Sequence, residues 1–268
     1  MSAIAAIAVN TFRESVRDKV LYNLVLFAVL IMGASYLIGQ LTAGQDVKII
    51  KDLGLSATAV FGLFIAVFIG IGLVSKEVER RSVYALLAKP IHRYQLVLGK
   101  YCGLVLTLTV NVAVMAATFY LVLAYMAYGA SPDAVRAWDA PALDPALLKA
   151  VALILVELAL VTAIAVFFST FSTPILSAAL TFGLYVAGHF SSDLRNFQDV
   201  VDSPSAARLA RGLYWVLPNL AQFDIKADVV HGQYVPPGYL VMTTVYAAFY
   251  IGMLLVASML VFSRRDFK

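Results

Sequence analysis

Charged residues are scarce in this sequence. They make up 13% of its 268 residues, whereas hydrophobic residues make up 62%. Soluble globular domains usually carry about 25% charged and roughly 45–50% apolar residues. A soluble chain of this length could not bury so much apolar surface, so the composition excludes an ordinary soluble protein. We expect an integral membrane protein with one membrane domain over residues 1–268 and the lipid bilayer as its solvent.

Cysteines and catalytic motifs are almost absent as well. A single cysteine, Cys102, excludes an intramolecular disulfide and a metal site built on two cysteines. The histidines His92, His189 and His231 lack the spacing of metal ligands, and His189 lies near a predicted span end, where an interfacial histidine is typical. The sequence contains no GxxxxGK[ST] phosphate loop, no HExxH motif and no GxSxG elbow. We therefore expect no intrinsic enzyme activity, no metal and no cofactor in this chain.

Six apolar stretches are long enough to cross a bilayer. About 17–25 residues are needed to span a hydrocarbon core of about 30 Å. The fifth stretch begins at Pro174, and proline is well suited to the first turn of a helix. The sequence thus predicts an all-α protein with transmembrane helices near residues 20–41, 55–75, 95–127, 147–170, 174–190 and 238–262.

Basic residues set the expected orientation. With six spans both termini lie on one side, and placing them inside gives 12 inner against 8 outer lysines and arginines. This clustering near span ends fits membrane topology better than nucleic-acid binding. We expect an N-in, C-in protein of the inner (cytoplasmic) membrane. The inner residues are Arg13, Arg17, Lys19, Lys76, Arg80, Arg81, Lys89, Arg93, Lys100, Arg264, Arg265 and Lys268, and the outer ones are Lys48, Lys51, Arg136, Lys149, Arg195, Arg208, Arg211 and Lys226.

Residues 2–18 precede the first span and form an amphipathic pattern. Val9, Phe12 and Val16 share one face of a helical wheel. The other face is polar and carries Asn10, Arg13, Glu14 and Arg17. This pattern favours a helix in the plane of the membrane interface, with a plain cytoplasmic extension of the first span as the alternative.

One compact charged segment, Lys76–Arg93, separates the second and third spans and reads KEVERRSVYALLAKPIHR. Val83, Leu86 and Leu87 have i, i+3, i+4 spacing and would form an apolar ridge, which Pro90 ends. Charged residues flank the ridge: Glu77, Glu79, Arg80, Arg81 and Arg93. A short helix of this kind could dock into a cleft of a soluble partner. The alternative is an ordinary positive-inside loop.

The order of these motifs resembles the ABC-2 type family of ABC transporter permeases. There, a segment of the form E…E-x-x-[ST]-x-x-x-L-L-x-x-P-x-x-R…G-K follows the second span. Here the matching residues are Glu79, Ser82, Leu86, Leu87, Pro90, Arg93, Gly99 and Lys100, and residues 7–14 look like the family's amphipathic start. The resemblance covers the whole chain and is greatest to small stand-alone permeases, such as the one that accompanies nitrous-oxide-reductase maturation. Serine at position 82 replaces the more usual threonine.

This resemblance implies a permease subunit of an ABC transporter. Two permeases, as a homodimer, would form the transmembrane unit, and two separate ATPase subunits would bind ATP and Mg. Lys76–Arg93 would be the cytoplasmic coupling helix, which ATP-driven closure of the ATPases moves. The complex would export a substrate or move it toward the envelope. Two alternatives stay open: a stand-alone secondary transporter or channel, and a non-transporting scaffold or mechanotransmission subunit.

Glu157 is the acidic residue inside the fourth span. It lies about ten residues into the span, roughly 15 Å deep at 1.5 Å per residue. An acid at the bilayer centre costs about 2.5–3.5 kcal/mol, so we expect it to face protein or water. It would either contact substrate or a proton in a pathway, or join helices by hydrogen bonding.

Several smaller features concern packing and the outer surface. Gly62, Ala66 and Gly70 form a small-residue stripe that permits close helix approach, within or between chains. Thr107 and Asn111 are expected to form interhelical hydrogen bonds, and Asn111 is also a candidate pathway residue. Between the last two spans, the family resemblance implies short outer helices that cap the exit, with a plain external loop as the alternative.

Overall fold

The computed structural model describes residues 2–40, 46–79, 93–136, 138, 140–191, 212, 214 and 217–264. Within these ranges the chain is helical and contains no strand, which confirms the prediction of an all-α protein. The long helices are α1 (Ala3–Val16), α2 (Lys19–Gln40), α3 (Asp46–Glu79), α4 (Arg93–Gly129), α6 (Ala146–Ser169), α7 (Pro174–His189) and α9 (Pro237–Arg264). The short elements are α5 (Pro132–Arg136), a 3₁₀ turn (Ala221–Phe223) and α8 (Lys226–Val230).

Five of the described helices are long and apolar enough to cross a membrane, and α7 is a shorter apolar helix. The ends of α2, α4, α6, α7 and α9 lie within about two residues of the predicted spans, which is the usual uncertainty of helix ends. Helix α3 differs, because it starts at Asp46 rather than near residue 55. No glycine or proline interrupts residues 46–53, and an acidic residue is favourable at a helix N-terminus.

Helix α6 lies at the centre of the bundle, where it contacts α3, α4, α7 and α9. It is apolar on all sides, which is typical of a helix that is surrounded by other helices. Leu153, Val161 and Ala165 are fully buried, and 67% of the apolar window of this helix is buried. Helices α2 and α9, in contrast, leave most of their apolar residues exposed. The exposed faces of α2 and α9 are therefore among the surfaces that would meet lipid or another chain.

The two ends of the bundle differ in what they carry. The α1 end holds α1, the start of α2 and the turn between α6 and α7. The opposite end, the cap end, holds the starts of α3, α6 and α9. Two lysines tie the cap end together: Lys51 Nζ donates to the carbonyl of Pro141 at 2.9 Å, and Lys149 Nζ donates to that of Val235 at 2.8 Å. Because Lys51 is fully buried, this bond satisfies a charge inside the protein.

The small-residue stripe of α3 lies against α6. A Cβ atom at Gly70 would stand 2.7 Å from the Cβ of Ala165, and one at Gly62 would meet the side chain of Leu158. Ala66, between them, is fully buried. The stripe therefore brings the two most buried helices together within one chain.

Two further glycines hold α1 against the first turns of α4. A Cβ atom at Gly103 would stand 2.5 Å from the carbonyl oxygen of Ala8, and one at Gly99 would stand 2.7 Å from the Cβ of Ile7. The face of α1 that makes this contact carries Ile4, Ile7, Ala8 and Thr11. It differs from the predicted apolar face of Val9, Phe12 and Val16, which stays half-buried.

The Gly103→Ala variant is expected to lose about 1–3 kcal/mol of stability, because the added methyl group meets backbone that moves only if α1 shifts. Thermal unfolding in detergent measures this loss. The matched control is Gly33→Ala in α2, where the methyl group would have no atom within 4 Å. Equal unfolding temperatures for the two variants would contradict the α1–α4 contact.

Candidate functional site

The candidate site lies in the middle of the bundle, at Glu157. This residue is 4% exposed and sits about 16–18 Å from either end of α6 at 1.5 Å per residue. Its Oε1 atom lies 3.3 Å from Nε2 of His189, the last residue of α7. The interpretation of His189 as an interfacial residue is therefore wrong. Helix α7 is short and ends beside Glu157, where the side chain of His189 is 26% exposed.

The imidazole of His189 is held in place by its own helix. Its Nδ1 atom lies 3.1 Å from the carbonyl oxygen of Tyr185, and its ring lies 4.5 Å from the ring of Tyr185. If Nδ1 carries a proton and donates it to this carbonyl, a neutral ring presents the lone pair of Nε2 to Glu157. Two acceptors would then face each other, unless one proton sits on the carboxyl group or on Nε2.

Residues 217–236, here called the cap segment, cover this pair. The N–H of Leu220 donates to the carbonyl of Gly188 at 3.0 Å, and a Cβ atom at Gly188 would stand 2.9 Å from the carbonyl oxygen of Pro218. Helix α8 packs against α3 and α6. The segment enters the bundle rather than crossing its surface, because it buries the apolar side chains of Leu220, Phe223, Ile225, Val229, Val230 and Val235.

More polar groups gather where α7 ends. Lys226 Nζ lies 3.4 Å from Asp224 Oδ2, and both side chains act electrostatically on Glu157. Ser191 Oγ and Asn219 Oδ1 are buried and have no hydrogen-bond partner among the described residues, nor does Oε1 of Glu157. Oε1 of Glu157 and Nε2 of His189 are thus within ion-pair distance, but they do not form an aligned hydrogen bond. The end of α7 therefore lies among polar groups, of which some are buried and Asp224 is exposed.

The remaining candidate inside a span, Asn111, lies on the buried part of α4. Its Nδ2 donates to the carbonyl of Thr107 at 2.7 Å, and Thr107 Oγ1 donates to the carbonyl of Gly103 at 2.9 Å. Both bonds run within α4 instead of to a neighbouring helix as expected, since such side chains can bond to the carbonyl one turn earlier. Among the described residues, no group of three or more His, Cys, Asp or Glu could hold a metal ion.

The predicted coupling segment lies mostly outside the described residues. The backbones of Glu77 and Glu79 belong to the last turn of α3, and Arg93 begins α4. The residues between these helices are not described, and they include Arg80, Arg81, Val83, Leu86, Leu87 and Pro90. The coupling helix therefore stays a prediction from sequence.

Comparison with known proteins identifies the family of this chain. No curated protein matches this chain, so the closer similarity to the nitrous-oxide-reductase maturation permease stays a prediction. A family model described as ABC-2 family transporter protein matches residues 5–195. This match covers well over half of the chain and includes Glu157, His189 and the predicted coupling segment. The chain is therefore a multi-pass membrane protein that belongs to the ABC-2 transporter family.

Proposed function

We propose that this chain is the transmembrane permease subunit of an ABC transporter and that a separate ATPase subunit drives it. The family match over residues 5–195 carries the proposal. The apolar helices support a place in the membrane, and the sequence itself has no phosphate loop. The partner would bind ATP and Mg, and hydrolysis would drive export or envelope-directed movement of a substrate.

The proposed topology has six membrane helices, α2, α3, α4, α6, α7 and α9. The α1 end faces the cytoplasm of the inner membrane and the cap end faces outward, in line with the excess of basic residues inside. At 1.5 Å per residue, α7 is only about 24 Å long. The buried cap segment packs above α7. In the proposed topology it fills the part of the membrane thickness that this short helix does not reach. In this topology α1 lies at the inner membrane interface.

Cysteine labelling is expected to reach the cap end, and not the coupling segment, from outside the cell. Arg136→Cys and Lys89→Cys suit this test, because the side chain of Arg136 is 82% exposed at the end of α5. A Cys102→Ala background is needed, since the native cysteine is exposed. A membrane-impermeant maleimide should label position 136 in intact cells and position 89 only after lysis. The reverse pattern would refute the orientation.

The proposed complex contains two copies of this chain and two ATPase subunits. A homodimer is consistent with the apolar faces of α2 and α9, which no other part of the described chain covers. Cross-linking between cysteines placed on these two helices would locate the contact between copies.

The purified chain alone is expected to hydrolyse no ATP. Co-expression with an ABC ATPase encoded beside it should give a stable complex with ATP turnover in liposomes. A complex reconstituted with an ATPase variant lacking its catalytic glutamate is the matched control. Robust turnover by the isolated chain, or failure of every neighbouring ATPase to co-purify, would contradict the proposed function.

A further inference from the structure

Three exposed basic side chains lie where α1 meets α2. They belong to Arg13, Arg17 and Lys19 and are here called the basic surface. Their side chains form no hydrogen bond and no ion pair in the part of the chain that the structure describes. The acidic neighbour Glu14 lines a cavity between α1 and α4 and does not pair with them. The three cations are therefore available to a partner outside the chain.

The basic surface borders an apolar side of α1. At about 100° per residue, Arg13 and Arg17 are about 40° apart around the helix. Val9 and Val16, which are both half-buried, lie on one side of them, about 40° and about 60° from Arg13. Thr11, on the side that packs against α4, is about 160° from Arg13. A helix with this arrangement packs on the protein with one side, meets acyl chains with the next and holds its arginines at the level of the headgroups.

Helix α4 indicates the depth of the basic surface. It contacts α1 at Gly99 and Gly103. Tyr125 and Tyr128, which are exposed, lie about 33 and 38 Å beyond Gly103 at 1.5 Å per residue. These lengths are slightly greater than the hydrocarbon core of a bilayer, which is about 30 Å thick. Because tyrosine is enriched at membrane interfaces, the two tyrosines fit one interface and α1 fits the other.

The start of α2 lies at the same level as this contact. Val20, in the first turn of α2, lines the same cavity as Lys100 and Leu104 of α4. These two residues of α4 are next to the glycines that contact α1. Since Arg17 and Lys19 come just before Val20 in the chain, all three cations of the basic surface lie near one membrane plane.

The chemistry of the basic surface indicates which lipid fits. Side chains four residues apart on a helix are neighbours, so Arg13 and Arg17 can reach one phosphate together. A guanidinium group donates two parallel hydrogen bonds to a phosphate and does not lose its charge in a protein. In an anionic phospholipid, no cation of the same molecule neutralises the phosphate, whereas a choline lipid carries its own cation. Free arginines therefore favour the anionic lipid.

We propose that the basic surface binds the headgroup phosphate of an anionic phospholipid of the phosphatidylglycerol class, in the leaflet at the α1 end. Arg13 and Arg17 hold the phosphate, Lys19 adds attraction, and an acyl chain lies along Val9 and Val16. This inference rests on the proposed topology, in which α1 lies at the inner membrane interface. It requires no ATPase, so it is tested on the permease chain by itself.

The test is retention of lipid by the purified full-length chain. The protein is reconstituted in vesicles with equal parts of phosphatidylglycerol and phosphatidylcholine and then extracted in mild detergent, and native mass spectrometry counts the bound lipids. Phosphatidylglycerol is expected to be retained at least about fivefold over phosphatidylcholine, because each cation near a membrane surface favours an anionic lipid by about that factor. Equal retention of the two lipids would overturn the proposal.

Variants assign the preference to the basic surface. The triple variant Arg13→Gln, Arg17→Gln and Lys19→Gln is expected to bring the retention of the two lipids close to equal. Arg13→Lys combined with Arg17→Lys keeps both charges and should keep most of the preference. Because the three residues are exposed, the variants should fold like the native chain, which size-exclusion chromatography checks. An unchanged preference in the triple variant would contradict the site.

The matched control is Arg136→Gln, which removes an exposed cation from the cap end of the bundle. Arg17→Gln should lower the preference for phosphatidylglycerol several-fold, whereas Arg136→Gln should leave it unchanged. An equal fall in the two single variants would show that any surface cation attracts the lipid, and the site would be rejected.

Co-purification of the ATPase separates this site from the proposed function. If the triple variant loses its lipid preference and still binds the ATPase, the lipid site is confirmed and is independent of the partner. If it keeps its lipid preference and loses the ATPase, the basic surface docks the ATPase instead and the lipid site is wrong. Equal retention of both lipids by a native chain that binds the ATPase would remove the lipid site and leave the proposed function standing.

Discussion

The Glu157→Lys variant is expected to yield almost no folded protein. The new ammonium group would replace a carboxylate that lies 3.3 Å from His189, and Lys226 already adds positive charge nearby. Leaving a buried charge without its partner costs about 3–5 kcal/mol. A typical domain has a free energy of unfolding of only about 5–15 kcal/mol, so this loss would remove a large part of it. Fluorescence-detected size-exclusion chromatography of solubilised membranes measures the folded yield.

A charge exchange provides the control for this prediction. Glu157→Lys combined with His189→Glu places opposite charges across the same contact, and the folded yield should recover in large part. Glu157→Gln should fold like the native chain, because the amide has the same size and can donate to Nε2 of His189. If the double variant folds no better than Glu157→Lys, the pairing of α6 with α7 is not what stabilises the bundle here.

The same amide variant separates the two roles considered for Glu157. The contact with His189 and the cap segment above it favour an anchoring role, in which the pair holds α7 and the cap segment to α6. We therefore expect ATP-driven transport by Glu157→Gln to survive. A loss of transport with normal ATPase binding would instead show that the acid contacts the substrate or carries a proton.

Most helix ends could be predicted because their signals are local. Long apolar stretches marked α2, α4, α6 and α9, and Pro174 marked the start of α7. The start of α3 was missed because Lys48, Lys51 and Asp52 suggested a loop exposed to water. Lys51 is instead buried and bonded to the carbonyl of Pro141. Such a partner, about ninety residues away, is supplied by tertiary structure and leaves no local pattern.

Of the two residues that form the site, only Glu157 could be predicted from the sequence. Glu157 stood out because a carboxylate is costly in the middle of a span. His189 was missed because it was assigned to the membrane surface. A signal for the pair did exist: α6 and α7 are joined by the short turn 170–173, and both residues lie about 18–24 Å from that turn at 1.5 Å per residue. Two helices that fold back on each other bring such positions together.

The contact of α1 with α4 depends on two glycines that have the same spacing as the small-residue stripe of α3. The small-residue stripe of α3 was recognised from its spacing of four, and Gly99 and Gly103 have the same spacing. Gly99 was considered only as part of a family motif. In the structure this glycine pair lets α1 approach the backbone of α4.

The Leu86→Asp variant is expected to reduce co-purification of the ATPase at least about tenfold. In the proposed coupling helix, Leu86 forms the apolar ridge together with Val83 and Leu87. A carboxylate there would lose its water in the contact with the ATPase, and a loss of about 1.4 kcal/mol already corresponds to a tenfold change in affinity. The variant should still be inserted normally, since the segment lies outside the predicted spans.

The matched control for this prediction is Ala85→Asp. It adds the same charge one residue away, but residues 83 and 85 are about 200° apart on a helix, so position 85 faces away from the ridge. If the segment docks as a helix by its apolar face, Ala85→Asp should keep the complex and its ATP turnover while Leu86→Asp loses them. Equal losses in both variants would mean that charge in this segment, rather than the ridge, governs assembly. Normal assembly and transport in Leu86→Asp would remove the docking role from the segment altogether.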